Sequence, residues 1–212
     1  MKDIAIYGAG GFGREVACMI NSENLKKPEW NFIGFFDDNI QLKGKSNEYG
    51  VVLGNIDDLC KWGSPLCILI AIGNGEAIKS IYNRINNPYI SFPNFIHDVS
   101  FADFDNFSIG KGNIVAGSHF SCSVKIGDFN IINRGVVFGH DAIVGDFNTF
   151  MPEVRVSGSV RIGDCNFFGI ASIILQQLRV KDHVRLGAGS VLMHNPKPSN
   201  LYIGNPATIY KF

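Results

Sequence analysis

Every sixth residue from Ile126 to Leu192 is apolar. Positions 126, 132, 138, 144, 150, 156, 162, 168, 174, 180, 186 and 192 read Ile, Ile, Phe, Val, Phe, Val, Ile, Phe, Ile, Val, Leu and Leu. With 46% of the chain hydrophobic, chance produces such a run about once in ten thousand trials at a fixed phase, and less than about once in a thousand when all six phases are allowed. A period of 18 lies on top of it. Ile126-Gly127-Asp128-Phe129-Asn130, Val144-Gly145-Asp146-Phe147-Asn148 and Ile162-Gly163-Asp164-Cys165-Asn166 are near copies. A helix repeats its apolar positions every three or four residues and a half-buried strand every two. Six residues, three times per turn, describe a triangular parallel β-helix with one hexapeptide on each side.

The apolar residue points into the prism. The next residue is often glycine (127, 139, 145, 163, 169, 187), which suggests a tight turn at the corner. The residue two before it is small or Asn (Val124, Asn130, Ala142, Asn148, Val160, Asn166, Ser172, Ser190), as a crowded corner would require. Upstream, Ile109-Gly110 precedes Ile126-Gly127 by 17 residues rather than 18, so the coil slips once there and spans roughly 95–195. Phe129, Phe147 and Phe167 lie off the interior phase. They are expected on the surface, where aromatics mark covered faces and hence an oligomer.

The first half reads differently. Asp3-Ile4-Ala5-Ile6-Tyr7 is a buried-strand pattern that runs into Gly8-Ala9-Gly10-Gly11-Phe12-Gly13 and then a helical stretch from Arg14 to Ile20. Further strands are expected at Asn31–Phe36, Val51–Leu53 and Cys67–Ile72, with helices over 55–62 and 75–86. This is a βαβ order with a nucleotide-type turn after the first strand, but only half the length of a full dinucleotide fold. Asn86-Asn87-Pro88 and Phe92-Pro93-Asn94 mark the boundary, giving domains of 1–92 and 93–212. The turn suits an anionic group at a helix N-terminus, and Asp37 stands where it could meet a ribose hydroxyl. A nucleotide sugar, a redox dinucleotide and a purely structural turn all satisfy these residues.

Composition removes several classes. Lys+Arg is 19 and Asp+Glu is 19, and this zero balance argues against a protein built to grip nucleic acid or an anionic membrane. The clean apolar run Cys67–Ile72 is far shorter than the ~20 residues of a membrane helix. Met1-Lys2-Asp3 leads at once into a strand, so no leader is expected. Five cysteines without a C-x-x-C pair point to a reducing cytoplasm and away from a disulfide framework or a zinc site.

His140 follows interior Phe138 by two residues, at a corner, and so points outward. Asp141 beside it could orient the imidazole or raise its basicity. His119 is near a corner, while His97, His183 and His194 stand without partners in the sequence and are read as structural, as are the cysteines. A non-catalytic scaffold would have no use for the His-Asp corner.

Gly8 to Val16, Gly34-Phe35-Phe36-Asp37-Asp38-Asn39 and Ala71-Ile72-Gly73-Asn74 resemble the nucleotide-binding half of the NeuD/PglD-type bacterial sugar O- and N-acyltransferases. Gly139 to Phe147, Gly187-Ala188-Gly189-Ser190-Val191 and Gly204-Asn205-Pro206-Ala207 resemble the acyltransferase half. The resemblance runs in order over nearly the whole chain. It implies an α/β half-Rossmann domain followed by a left-handed β-helix, a homotrimer, acetyl-CoA in the groove between prisms, and no metal. It further implies His140 as the catalytic base with Asp141 supporting it. Gly158, whose amide faces the thioester carbonyl, is implied to contact the cofactor together with Gly169, Ile170, Ala188 and Pro206. Gly10, Gly11, Phe12, Gly13, Asp37, Asp38, Asn39, Gly73 and Asn74 are implied to bind the nucleotide sugar. Relatives acting on UDP-linked 4-amino sugars often carry His where Phe12 stands. The implied reaction is N-acetylation of a nucleotide-linked 4-amino-4,6-dideoxyhexose for O-antigen or capsule biosynthesis; O-acetylation of sialic acid is the alternative.

Overall fold

Ile4, Ala5, Ile6 and Tyr7 form an unbroken buried run, which suits the central strand of a parallel sheet covered on both faces. The structure is a computed structural model and describes residues 1–211. It divides into two units, Met1–Gly73 with Ala77–Phe95, and Asn74–Glu76 with Ile96–Phe212.

The first unit has strands β1 (Lys2–Tyr7), β2 (Trp30–Phe36), β3 (Val52–Gly54), β4 (Leu66–Ile70) and β5 (Ile90–Ser91), in the sheet order β3-β2-β1-β4-β5. All are parallel. The helices are α1 (Gly11–Lys26), α2 (Ile56–Cys60) and α3 (Gly75–Arg84). The strand order reverses between β1 and β4, and the carboxyl ends at such a switch form a ligand crevice in open α/β sheets. Gly13 lets α1 close onto the turn before it, because a Cβ there would lie 1.8 Å from the Gly8 carbonyl oxygen. α2 is fixed by a capping box between Asn55 and Asp58.

The second unit is a left-handed parallel β-helix with three faces. One face is built on Ile114–Ala116, Ile131–Ile132, Thr149–Phe150, Phe167–Phe168 and Arg185–Leu186. A second holds His119–Phe120, Val137–Phe138, Arg155–Val156, Ile173–Ile174 and Val191–Leu192. The third holds Lys125–Ile126, Ile143–Val144, Arg161–Ile162 and Arg179–Val180. Paired strands stand 18 residues apart, as Ile131 with Thr149. The slip read from the sequence is resolved in the first coil, where Ser108 pairs with Lys125 and Ser100 with His119. Inside, Phe101, Phe120 and Phe138 stack at 5.5 and 5.2 Å, and Phe150 stacks on Phe168 at 4.8 Å.

The corners correct the expected role of glycine. Left-handed φ recurs every six residues from Gly117 to Gly189, and ten of these thirteen residues are not glycine. Such residues each cost on the order of 1–3 kcal/mol. From Phe129 onward each is held by a backbone bond to the preceding coil, as Asp141 N to Cys122 O at 3.0 Å and Ser159 N to His140 O at 2.7 Å. The glycines at 127, 145 and 163 do not make the turn. They make room, because a Cβ at Gly127 would lie 2.2 Å from Asp146 Oδ1, and Gly145 and Gly163 meet Asp164 and Asp182 in the same way.

Those aspartates and the neighbouring asparagines form two ladders along one corner. The N–H of Asp128 donates to Asp146 Oδ1, that of Asp146 to Asp164 Oδ1 and that of Asp164 to Asp182 Oδ1. The buried amides of Asn130, Asn148 and Asn166 bond one to the next. The aromatic expectation is overturned at two of its three positions. Phe129 and Phe147 are buried, at 1% and 9% exposure, with rings stacked 5.5 Å apart. A corner side chain points along the stack of coils, so its neighbour one coil away covers it. Phe167 is half-buried beneath Arg185.

Candidate active site

His140 and Asp141 occupy the corner between Val137–Phe138 and Ile143–Val144. Both side chains are 60% exposed, and His140 Nδ1 lies 2.8 Å from Asp141 Oδ2. The left-handed backbone of Asp141, φ 59°, turns its carboxylate back onto the preceding residue. With the Asp141 carboxylate accepting at Nδ1, the imidazole carries its proton there and leaves the Nε2 lone pair available as a base. The ring rests on the next coil, where a Cβ on Gly158 would lie 2.4 Å from Nε2. The Gly158 N–H makes no hydrogen bond within the described residues. An imidazole with an available Nε2 and a backbone N–H with no acceptor among the described residues therefore stand on adjacent coils.

Gly169, Ile170 and Ala188 do not join them. They lie on the corner between Phe167–Phe168 and Ile173–Ile174 and its repeat one coil later, across the His119–Val191 face from His140. Pro206 lies in the hairpin turn between Leu201–Gly204 and Ala207–Ile209. One copy of the chain thus presents the expected cofactor contacts on separate corners.

In the first unit, α1 begins at N-cap Gly10, which supplies no side-chain cap, and has no acidic residue in its first turn. The N–H groups of Gly11, Phe12 and Gly13, in the first turn, have no intrahelical acceptor and suit an anionic group. Asp37 ties this turn down, since Oδ2 accepts from Ala9 N at 2.9 Å and Oδ1 from Asn39 N at 2.8 Å. Asp38 is held between the Tyr7 hydroxyl, at 2.5 Å, and Arg84 Nη1, at 3.1 Å. Burial and this carboxylate push the Tyr7 phenol well above the usual tyrosine range. Asn39 caps a short 3-10 turn through Gln41 N. Gly73 and Asn74 follow the end of β4 and lead into α3. Beside the turn lies a cleft of about 200 Å3 lined by Ala9, Gly10, Arg14, Lys45 and Asn47, among others. Sequence reading missed its last three residues. Arg14 lies inside α1, and 39–51 has no apolar period to announce that it folds back onto the turn.

The remaining histidines separate. His119 Nδ1 is 2.9 Å from Ser100 Oγ, and His97 is buried. His183 is not without a partner, since its Nδ1 lies 2.9 Å from Glu76 Oε1. No helix of the described residues is long and apolar enough to cross a membrane.

Residues 3–85 match the family described as the PglD N-terminal domain. Over 99% of its length the chain is similar to the acetyltransferase domain of PglB from Neisseria gonorrhoeae FA1090, at 27% identity and TM-score 0.87 over 100% of that chain. The same domain has been solved with acetyl coenzyme A, at 26% identity and TM-score 0.86 over 99% of both chains. PerB from Caulobacter crescentus, solved with CoA and GDP-perosamine, shares the fold at 23% identity and TM-score 0.80, over 100% of this chain and 98% of that one.

Proposed function

We propose that this chain, a NeuD/PglD-type acyltransferase, moves an acetyl group from acetyl-CoA to the amine of a nucleotide-linked 4-amino-4,6-dideoxyhexose. The observation that carries the reading is the His140–Asp141 pair seated over the unpartnered Gly158 N–H. In the transfer, the neutral amine attacks the thioester carbonyl and its proton passes to His140 Nε2. The Gly158 N–H receives the oxyanion, a contribution of about 3 kcal/mol in comparable sites. Collapse expels the CoA thiolate, which takes the proton from the imidazolium. Asp141 holds the ring in the tautomer that makes this possible. The chain's own residues supply base and donor, and no step calls for a metal.

The N-terminal turn, Gly10 to Gly13, takes the nucleotide phosphates, with Asp37, Asp38, Asn39, Gly73 and Asn74 around it. Asp37 and Asp38 act largely by bracing, because both carboxylates already accept bonds from the chain. Gly158, Gly169, Ile170, Ala188 and Pro206 contact acetyl-CoA. Because they stand on separate corners, one CoA reaches all of them only if two copies of the chain line the groove. A closed ring is the simplest symmetric arrangement in which every copy offers both corners, and the resemblance to the NeuD/PglD type implies three copies in that ring. The enzyme works in the cytoplasm, where acetyl-CoA and nucleotide sugars are made, and feeds the building of bacterial surface glycans such as O-antigen or capsule.

A thiol-release assay with acetyl-CoA tests the reading. Turnover is expected with nucleotide-linked 4-amino sugars. Turnover with free sialic acid alone would replace N-transfer with O-transfer, and no turnover across either panel would overturn the reading.

A further inference from the structure

We propose that Glu76, Cys165 and His183 form a binding site for one zinc ion, separate from the His140 corner. Their donor atoms all lie within 4.8 Å of one another. The site rests on the corner column of residues 129, 147, 165 and 183, which are all left-handed and spaced by 18. The first two places hold the stacked rings of Phe129 and Phe147; the next two hold a thiol and an imidazole. The column is a rigid ladder rather than a loop, so Cys165 and His183 are presented one above the other by the coil repeat itself.

Glu76 is brought to the column by backbone packing. A Cβ on Gly75 would lie 2.0 Å from the Phe147 carbonyl oxygen and 3.3 Å from Cys165 Cα, so the chain passes directly over the corner. Asn74–Glu76 accordingly belongs to the second unit. Glu76 Oε1 then lies 2.9 Å from His183 Nδ1. Zinc bonds of about 2.0–2.3 Å in a tetrahedron place their donors roughly 3.3–3.7 Å apart. The pair opens slightly to admit the ion, the thiol swings in, and a water completes four-coordination. Glu76 and His183 are about half exposed and can make that adjustment.

Thiolate, imidazole and carboxylate together select zinc over magnesium or calcium, which prefer oxygen alone. Asp164 and Asp182 immediately precede Cys165 and His183 and run beside them as a column of carboxylates, which adds a field favouring a cation. Binding as thiolate releases the thiol proton, so affinity rises with pH. The sequence conceals the site because its ligands come from positions 76, 165 and 183 and match no short spacing motif.

Cobalt(II) titration of the full-length, tag-free protein under a non-thiol reductant tests the site, with spectroscopy rather than activity as the readout. One equivalent should bind with a thiolate-to-cobalt charge-transfer band and tetrahedral d–d bands, and zinc should displace it. Cys165→Ser should abolish the charge-transfer band, and Cys122→Ser should leave it intact. Glu76→Gln and His183→Ala should each weaken binding more than about tenfold, with the fold checked by circular dichroism. No thiolate band in the wild type, a band that persists in Cys165→Ser, or full affinity in Glu76→Gln would each overturn the three-ligand site. None of these results depends on the acyl-transfer reading.

Discussion

His140 Nε2 lies 2.4 Å from where the Cβ of any residue replacing Gly158 would stand. Base and backbone donor therefore constrain each other across adjacent coils. Gly158→Ala should push the imidazole off its seat and swing it from the donor. A misplacement of about 1 Å can cost ~10²-fold, so kcat should fall by roughly that factor while acetyl-CoA affinity changes little. Steady-state kinetics with an equilibrium CoA-binding measurement separate the two.

Asp141→Asn keeps a residue that tolerates left-handed backbone but removes the charge that fixes the tautomer. The cost should be smaller than that of losing His140, about 10-fold to 10²-fold in kcat, with unchanged thermal stability. A loss equal to that of His140→Ala would mean that Asp141 takes part directly in the chemistry.

The period-six pattern placed the strands of the β-helix almost to the residue, because an inward apolar residue repeats whatever the corner does. The corners were harder to read. Glycine at 127, 145 and 163 suggested a turn, yet the turn falls two residues later, on Phe129, Phe147 and Cys165. A contact one coil away, here with an aspartate, leaves no mark within a hexapeptide. Phe129 and Phe147 were misplaced for the same reason, since each covers the other across 18 residues. The Gly-rich turn and the His140–Asp141 corner were legible because local sequence builds them. The 39–51 wall of the N-terminal cleft and the Glu76–His183 pair were not, because only long-range packing joins them.

The asparagine ladder should carry much of the stability of the helical unit. Asn148 bonds Asn130, Asn166 and the Gly163 carbonyl within the buried corner. Asn148→Leu removes these partners and strands several polar groups, which should cost at least about 3 kcal/mol. Urea unfolding should show the loss, while the surface change Gln177→Asn should stay within about 0.5 kcal/mol.

Tyr7 links stability to high pH. A free tyrosine ionises near 10.0, and the folded state holds Tyr7 above that. Above about pH 10 the unfolded chain releases this proton while the folded chain keeps it, so stability falls as pH rises. Tyr7→Phe should flatten that fall in melting temperature between about pH 9 and 11. The same variant frees Asp38 from one of its two anchors and should raise the acceptor KM without altering acetyl-CoA binding.

The shared-groove reading makes a mixing experiment decisive for assembly. Light scattering should give three times 23.3 kDa, roughly 70 kDa. His140→Ala and Ala188→Trp should each be inactive. Trimers re-formed from a mixture of the two should regain activity, because some grooves then pair an intact His140 corner with an intact Ala188 corner. No recovery would place both sets of contacts within a single copy.

The proposed transfer depends most heavily on His140 as the base. Its side chain lies outside the interior phase, so His140→Ala opens no core cavity. The direct measurement is kcat/KM of that variant with acetyl-CoA and a turned-over nucleotide amino sugar, alongside light scattering and CoA binding. The expected result is a loss of ~10²–10⁴-fold with assembly and CoA affinity intact. Turnover near the wild-type value would contradict it and leave His140 as an exposed histidine with no part in the transfer.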